Sequence, residues 1–562
     1  MSLVPWVLVP TLTFLAFLPL LSAGWLDWDD NVTYLQNPHW RGPTPDNLRW
    51  MLTAPLLGHY HPVHWLSFAL EYPFWKLDPR PYHLTSLLIH CTCALLLFLL
   101  ARRLLALTFP SSSRGALSLA ASLSALLFSI HPLRVEPVAW LTVRSDLLCA
   151  VFLFASIFAY IGADRSRFPL AALLLFALSL LSKAASLAFP FILVLLDLYP
   201  LRRLPLTPKD WLSPSHRKVL IEKIPFLLLT FLFLGLAVLA KRPYLHPVEH
   251  STLPGRLAIV SYSLSFYPLK TVLPIRLLPL YQLPPDLPSL LPPAVPSGVF
   301  ALALTILLFL LRRKAPWAIV SWLIYLLFLA PVSGILQSGP QLVADRYSYL
   351  ATAPFALLAG AALLRLFSHP SPSLRRFVFA AAIAILALLF PLTYVYCRVW
   401  QSSLSLWSYT ARLDPYSTLA HINLGNIYEK AGDLDAAIAQ YKRAIALKSN
   451  IPGVYNNLGN ALRLKGDLDG ALRSYRKAVA LKPDYANAYY NLANAVAASD
   501  PAAAERAYAR SVELDPENVN AWFNLGNVRA LLGDAAGAIA AYEEVLRRNP
   551  DDADARERIQ LL

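Results

Sequence analysis

The sequence predicts an all-α chain of two unlike parts. Residues 1–396 read as a polytopic membrane domain and residues 417–562 as a solenoid of helical hairpins, with a half-unit at 397–416 between them. Two observations carry this. Apolar runs of membrane-spanning length recur through the first 400 residues, where a chain with only 15% charged residues has its deficit against the roughly 25% of soluble domains. Beyond residue 400 the hydrophobic runs stop and a short motif recurs at a fixed period.

Candidate spans lie at 4–24, 84–101, 116–130, 146–163, 168–182, 185–200, 224–240, 257–275, 297–311, 316–332, 347–367 and 376–396. Met1-Ser2-Leu3-Val4-Pro5 lacks the positive n-region of a secretory signal, so 4–24 reads as a retained first span. Short basic loops set the orientation. These are Arg102, Arg103 and Arg114; Arg165 and Arg167; Arg202 to Lys223; Arg312 to Lys314; and Arg365 with Arg375 and Arg376. Placing all five inside puts Asp29 and Asp30, His131–Trp140 and everything after residue 396 outside. Parity then requires one candidate not to cross. The choice falls on 257–275, which runs into the Pro-rich stretch Pro274–Pro296 and reads as re-entrant, leaving about 11 spans. Lys241 and Arg242 are left outside by this arrangement. The net charge of +15 is mostly loop Lys and Arg, which is topology information and points to no nucleic acid. Cys91, Cys93, Cys149 and Cys397 lie in or beside apolar segments, with neither disulfide nor zinc spacing.

In the second part, Asn423-Leu424-Gly425-Asn426, Asn457-Leu458-Gly459-Asn460, Asn491-Leu492-Ala493-Asn494 and Asn524-Leu525-Gly526-Asn527 recur at offsets of 34, 34 and 33. Asp414-Pro415, Lys482-Pro483, Asp515-Pro516 and Asn549-Pro550 close units in a second register, and Gly432-Asp433, Gly466-Asp467 and Gly533-Asp534 mark internal turns. This is the tetratricopeptide period, two antiparallel helices per unit, and it predicts four repeats with a concave surface suited to peptides. In the third unit Ser499-Asp500-Pro501 replaces the Gly-Asp turn.

The outer loops hold the residues that could carry chemistry. Asp29 and Asp30 stand side by side just past the first span, and charge parked at a membrane face marks a functional site. The same loop is dense in aromatic and histidine residues, with His59, His61, His64, Trp65 and His83. The second loop gives His131, Arg134, Glu136, Arg144 and Asp146; Lys183 sits between two spans; a late loop runs from Gln337 through Asp345, Arg346 and Tyr347. Carboxylates beside Arg and Lys suit a lipid phosphate and a sugar, since a cation neutralises the leaving phosphate while a carboxylate activates a hydroxyl. Each residue also has a plainer reading. Asp29 and Asp30 would cap an interfacial helix, Glu136 would pair with Arg134 or Arg144, and Asp345 would bridge to Arg346. Lys183 would snorkel, and Pro62 breaks the helical spacing that would make the histidines metal ligands.

Trp28-Asp29-Asp30, His61-Pro62-Val63-His64-Trp65-Leu66-Ser67, His83 through His90, His131 through Trp140, Ser182-Lys183 and Ala344 through Leu350 are together similar to motifs of one family, in the same order along nearly the whole chain. The chain resembles the transmembrane and tetratricopeptide-repeat O-mannosyltransferases and their bacterial relatives, with the GT-C membrane fold. The resemblance implies a polyprenyl- or dolichyl-phosphate sugar donor, transfer with inversion to a Ser or Thr hydroxyl, and a catalytic base at Asp29 or Asp30. It leaves metal dependence open, with Asp30 the residue that would hold a divalent ion. Ala184 departs from the pattern, in which an acidic residue often follows the lysine.

These readings assign catalysis to Asp29, Asp30 and Glu136, and donor phosphate contact to Lys183, Arg144, Arg346 and Arg134. Substrate contact falls to His61, His64, Trp65, His83, His131, Asp345 and Tyr347. The expected partners are the bilayer, the lipid-linked sugar and a protein acceptor held by the repeats. The expected compartment is a bacterial inner membrane with periplasmic repeats or an endoplasmic reticulum membrane with lumenal ones, and Ala/Leu/Arg-rich composition favours the first. A membrane-anchored scaffold without enzymatic activity is the rival function, although an anchor needs one span and no clustered carboxylates. A transporter predicts charges in mid-span and internal symmetry, and neither is visible.

Overall fold

A computed structural model describes residues 3–164, 167–242, 252–284, 287–334 and 341–562. Arg165 and Gln337 lie outside these. The chain divides into two compact units, Met1–Leu406 and Trp407–Leu562, a boundary that falls inside the helix Ser403–Leu413 rather than near residue 396.

The first unit is helical, as the apolar runs predict. Among the described residues five helices are long and apolar enough to cross a membrane: Pro79–Thr108, Leu141–Gly162, Pro214–Lys241, Leu287–Leu310 and Pro372–Val399. Two bent pairs, Arg114–Ser129 with Pro132–Ala139 and Asp345–Ala351 with Ala353–Phe367, pass the same test together. Four shorter apolar helices are Val4–Ala16, Leu170–Ser182, Ala184–Leu198 and Pro316–Val332. Leu253–Val272 is in neither group, and eleven crossings require every other segment to cross. The chain is a multi-pass membrane protein. Helix starts follow capping chemistry: Ser113 Oγ accepts from Ala116 N at 3.2 Å, and Asp78 accepts from Arg80 N at 3.2 Å just before Pro79.

Two differences from the sequence reading stand out. Leu287–Leu310 starts well before residue 297 and takes in Pro292, Pro293 and Pro296, which remove hydrogen bonds from its first half. The described residues also include one two-stranded antiparallel ladder, Tyr281–Gln282 against Gln341–Val343.

The outer stretch 25–78 is a small folded body rather than a loop. Helices Pro45–Thr53 and Pro62–Trp75 pack with Tyr34, Trp40, Met51, Trp65, Phe68 and Tyr82 into a core of their own. Its aromatic density is therefore a packing requirement. The segment that carries Asp29 is tied down by main-chain bonds: Gly24 N donates to Gln401 O at 3.0 Å, and Asp27 N to Ser403 Oγ at 2.7 Å.

The second unit is a stack of helical hairpins. Gly432, Gly466 and Gly533 adopt φ of +81°, +92° and +82°, and the Asp after each caps the next helix at 2.8–3.0 Å. Asp500 still caps Ala503 N at 2.9 Å although Ser499 has replaced the glycine. The motif glycines are steric. A Cβ on Gly459 would lie 2.5 Å from the Tyr475 ring, and one on Gly526 2.6 Å from Tyr542. The motif asparagines Asn426, Asn460 and Asn527 accept from the hydroxyls of Tyr441, Tyr475 and Tyr542, each at 2.8 Å.

Candidate active site

Asp29 and Asp30 follow the first apolar helix and the turn Leu18–Ser22, and they differ sharply in environment. Asp30 is fully buried; its Oδ2 accepts from Leu26 N at 2.9 Å and its Oδ1 from Thr142 Oγ1 at 2.6 Å. Burial pushes its carboxyl up to about 6, against those two hydrogen bonds and with the Asp29 charge adding to the rise. Asp29 is half-buried, and its carboxylate accepts no hydrogen bond from a described residue. Burial raises it above the ordinary carboxylate range and the nearby Arg346 guanidinium opposes that rise.

Arg346 sits at the start of the bent pair Asp345–Ala351 and Ala353–Phe367. Its guanidinium pairs with Glu136, and its main-chain N–H donates to Glu136 Oε2 at 2.8 Å. Trp140 lies 5.4 Å from the guanidinium and stacks on Trp28 at 4.4 Å, which brings the residue before Asp29 against the second loop. Lys183 caps the end of Leu170–Ser182 and its Nζ donates to Asp146 Oδ2 at 2.6 Å; both side chains keep some solvent exposure, 21% and 11%. His61 and His59 are in the field of Lys183. Enclosure by protein, then that charge, pushes His61 down to about 3. Arg346 and Lys241 also act on His59, so the Lys241 end of its helix shares this face with the outer body.

One polar cluster thus gathers Asp29, Arg346, Glu136, Asp146, Lys183, His61 and His59 from five separate stretches of chain. Tyr347 lies at its edge, half-buried, 4.9 Å from the Arg346 guanidinium and accepting from Gln341 Nε2 at 3.2 Å.

Other expected site residues are engaged in packing. Arg134 is buried, bonding Phe128 O at 3.3 Å, Ser348 Oγ at 3.1 Å and Thr352 Oγ1 at 2.5 Å. Arg144 is buried between Phe68, at 3.8 Å, and a ring of acceptors: Ser86 Oγ at 3.0 Å, Glu71 at 2.5 Å and Tyr82 O at 2.7 Å. Neither has a donor directed to the cluster, which corrects the phosphate-binding reading of both. Glu136 pairs with Arg346, not with Arg134 or Arg144. Asp345 does not bridge to Arg346; it is buried and accepts from Tyr281 at 3.0 Å and Tyr396 at 3.5 Å.

Among the residues assigned to substrate contact, Trp65 belongs to the aromatic core. His64 is buried with Nε2 3.0 Å from the Tyr34 hydroxyl. That hydroxyl donates to Leu141 O, so Nε2 carries the proton of this pair. His83 reaches Gly24 O at 3.4 Å, and His131 uses both ring nitrogens, on Thr271 O at 3.1 Å and Leu133 N at 3.2 Å. His61 and Tyr347 of this group stay partly accessible.

Each Asp30 oxygen accepts one hydrogen bond, and among the described residues no three His, Cys, Asp or Glu side chains are grouped to hold an ion. Sequence reasoning named Asp146 in the second loop without a role, and the structure makes it the partner of Lys183; it missed Glu71 and Thr142.

Comparison with known proteins agrees with the motif reading. The protein O-mannosyl-transferase F38B6.6 of Caenorhabditis elegans is 24% identical over 77% of this chain and 61% of its own length. Protein O-mannosyl-transferase Tmtc1 of Drosophila melanogaster is 34% identical over 26% of this chain and 16% of its own. The chain is similar in sequence to proteins named protein O-mannosyl-transferase. It matches only part of the length of each of these relatives. Models described as TPR repeat match residues 425–464 and 459–500, and one described as tetratricopeptide repeat matches 494–553. A crystal structure of MamA protein matches at 29% identity over 26% of this chain and 81% of its own, with a TM-score of 0.25.

Proposed function

We propose that the chain is a membrane protein O-glycosyltransferase of GT-C type that moves a hexose, mannose by analogy with its relatives' names, from a polyprenyl-phosphate donor to a Ser or Thr hydroxyl. The observation that carries this is the division between the two aspartates: Asp30 is held by Thr142 and Leu26, while Asp29 keeps an unbonded carboxylate beside Arg346.

Asp29 acts as general base. It takes the proton of the acceptor hydroxyl as that oxygen attacks the anomeric carbon. The bond from that carbon to the phosphate oxygen breaks, and its electron pair leaves with the polyprenyl phosphate. Attack on the face opposite the phosphate inverts the anomeric centre. Arg346 and Lys183 stabilise the departing charge, and Glu136 and Asp146 hold these cations in place until the phosphate arrives. Asp30 is a positioning residue: its two hydrogen bonds fix the backbone from Leu26 to Asp30 against the second loop. No step is routed through a metal ion. The repeat array offers the protein acceptor a surface, in keeping with the use of such arrays for binding peptides.

The test is transfer in vitro. The full chain in detergent micelles is given polyprenyl-phosphate mannose labelled in the sugar and Ser/Thr-containing peptides. Label in peptide that base-catalysed β-elimination releases supports the reading, and label recovered only as free mannose or unused donor contradicts it.

A further inference from the structure

An apolar cavity in the membrane unit is lined by none of the residues of the cluster around Asp29. It has a volume of about 830 Å³, within the range of roughly 300–1,000 Å³ usual for ligand pockets. Five helices wall it, through residues such as Leu104, Ile157, Leu196, Ile324 and Leu357. Pro79–Thr108 has His83 at the outer end and Leu104 on the cavity wall. At about 1.5 Å per residue that separation is roughly 30 Å, one hydrocarbon thickness. The Leu104 end of the cavity therefore lies toward the side of the bundle opposite the candidate active site, while Ala353 and Pro354 continue the lining toward the start of the helix that follows Arg346.

Three cations from three separate segments line this cavity: Arg202 after the helix Phe189–Leu198, Lys314 before Pro316–Leu329, and Arg365 near the end of Ala353–Phe367. All three are exposed, and among the described residues none has an ion pair or hydrogen bond on its side chain. No Asp or Glu is among the lining residues. Elsewhere in this unit two buried cations have acid partners: Lys223 pairs with Asp197 at 2.8 Å and Arg144 with Glu71 at 2.5 Å. An apolar chamber with three unmatched cations complements a ligand with a long hydrocarbon chain and an anionic head. Basic pockets between membrane helices bind anionic lipid headgroups on this principle.

We propose that the cavity is a binding site for an anionic glycerophospholipid, with an acyl chain in the chamber and its phosphate against Arg202, Lys314 and Arg365. The site is independent of the transferase reading and of the donor phosphate, which that reading places at the other end of the helices.

Native mass spectrometry of the delipidated full chain, titrated with phosphatidylglycerol, phosphatidylcholine or a polyprenyl phosphate, tests it. The wild type is expected to bind phosphatidylglycerol at least tenfold more tightly than phosphatidylcholine. Arg202→Gln/Lys314→Gln/Arg365→Gln should bring the two within twofold. Arg103→Gln/Arg375→Gln/Arg376→Gln, with the same charge change away from the cavity, should keep the preference. Ala361→Phe, which narrows the chamber and leaves its charges, should weaken phosphatidylglycerol at least fivefold. An unchanged preference in the first triple variant, or equal loss in both, overturns the proposal. So does displacement of bound phosphatidylglycerol by an equimolar polyprenyl phosphate.

Discussion

Thr142 donates a 2.6 Å hydrogen bond to Oδ1 of Asp30, and this bond separates two adjacent carboxylates into different tasks. It joins the first outer body to the second outer loop, and with Leu26 N it leaves Asp30 no open oxygen. Asp29, one residue earlier, keeps its carboxylate free beside Arg346.

Asp29→Asn is expected to lower transfer by about 100- to 10,000-fold, the usual worth of a general base, with little change in melting temperature. Asp30→Ala should behave in the opposite way. It strands the Leu26 N–H and the Thr142 hydroxyl, at about 1–3 kcal/mol for each buried group left unpaired, and should lower the melting temperature together with kcat. Asp30→Asn should restore much of that stability, because its amide can bond both partners if Thr142 reverses as acceptor. Thermal melting and kcat of the three variants check this.

Activity is expected to fall with pH at a point above the ordinary carboxylate range, because burial raises the Asp29 carboxyl and its protonated form cannot accept the hydroxyl proton. Arg346 opposes the rise at Asp29, so Arg346→Gln should move the acidic limb to higher pH. A pH profile of kcat/KM for both proteins measures the shift.

Lys183 and Arg144 are both outer-loop cations, and their variants should separate. Lys183→Met is expected to raise the donor KM about 10-fold or more, the worth of a charge-assisted hydrogen bond. Asp146→Asn should lower that KM, since it removes the carboxylate that competes with phosphate for Lys183. Arg144→Met removes a fully buried guanidinium, unpairs the part-buried Glu71 and strands the acceptors Ser86 Oγ and Tyr82 O, and should destabilise by about 3–5 kcal/mol. Donor titrations with denaturant unfolding distinguish the three.

In the repeat array, Gly459→Val forces a side chain into the Tyr475 ring and should cost about 1–3 kcal/mol. Ala493 shows that the third unit tolerates a methyl at the same motif position, so Gly459→Ala should cost less. Hydrogen exchange over Pro452–Leu481 in the full chain reads both.

The period of the repeats and the helical membrane unit were legible in the sequence, because each is a local pattern: a recurring motif and an apolar run. The assignment of the cations was not. Arg134 bonds Ser348 and Thr352, and Arg346 bonds Glu136, partners more than 200 residues away in the chain. A loop arginine facing a phosphate and one filling a packing gap look alike until those acceptors are placed. Trp65, His64 and His83 misled for a related reason. Aromatic density in an outer stretch reads as a binding surface, and here it is the interior of a small folded body.

The most direct measurement is peptide mass spectrometry of envelope proteins from cells expressing the wild type, Asp29→Asn and Asp30→Asn at matched membrane levels. The account predicts a hexose-sized increment on Ser or Thr in the wild type, loss of it in Asp29→Asn, and partial retention in Asp30→Asn. Equal modification in the wild type and Asp29→Asn would contradict Asp29 as the base. No increment in any strain, with partners still captured by the repeats, would contradict the transferase itself and favour a membrane scaffold.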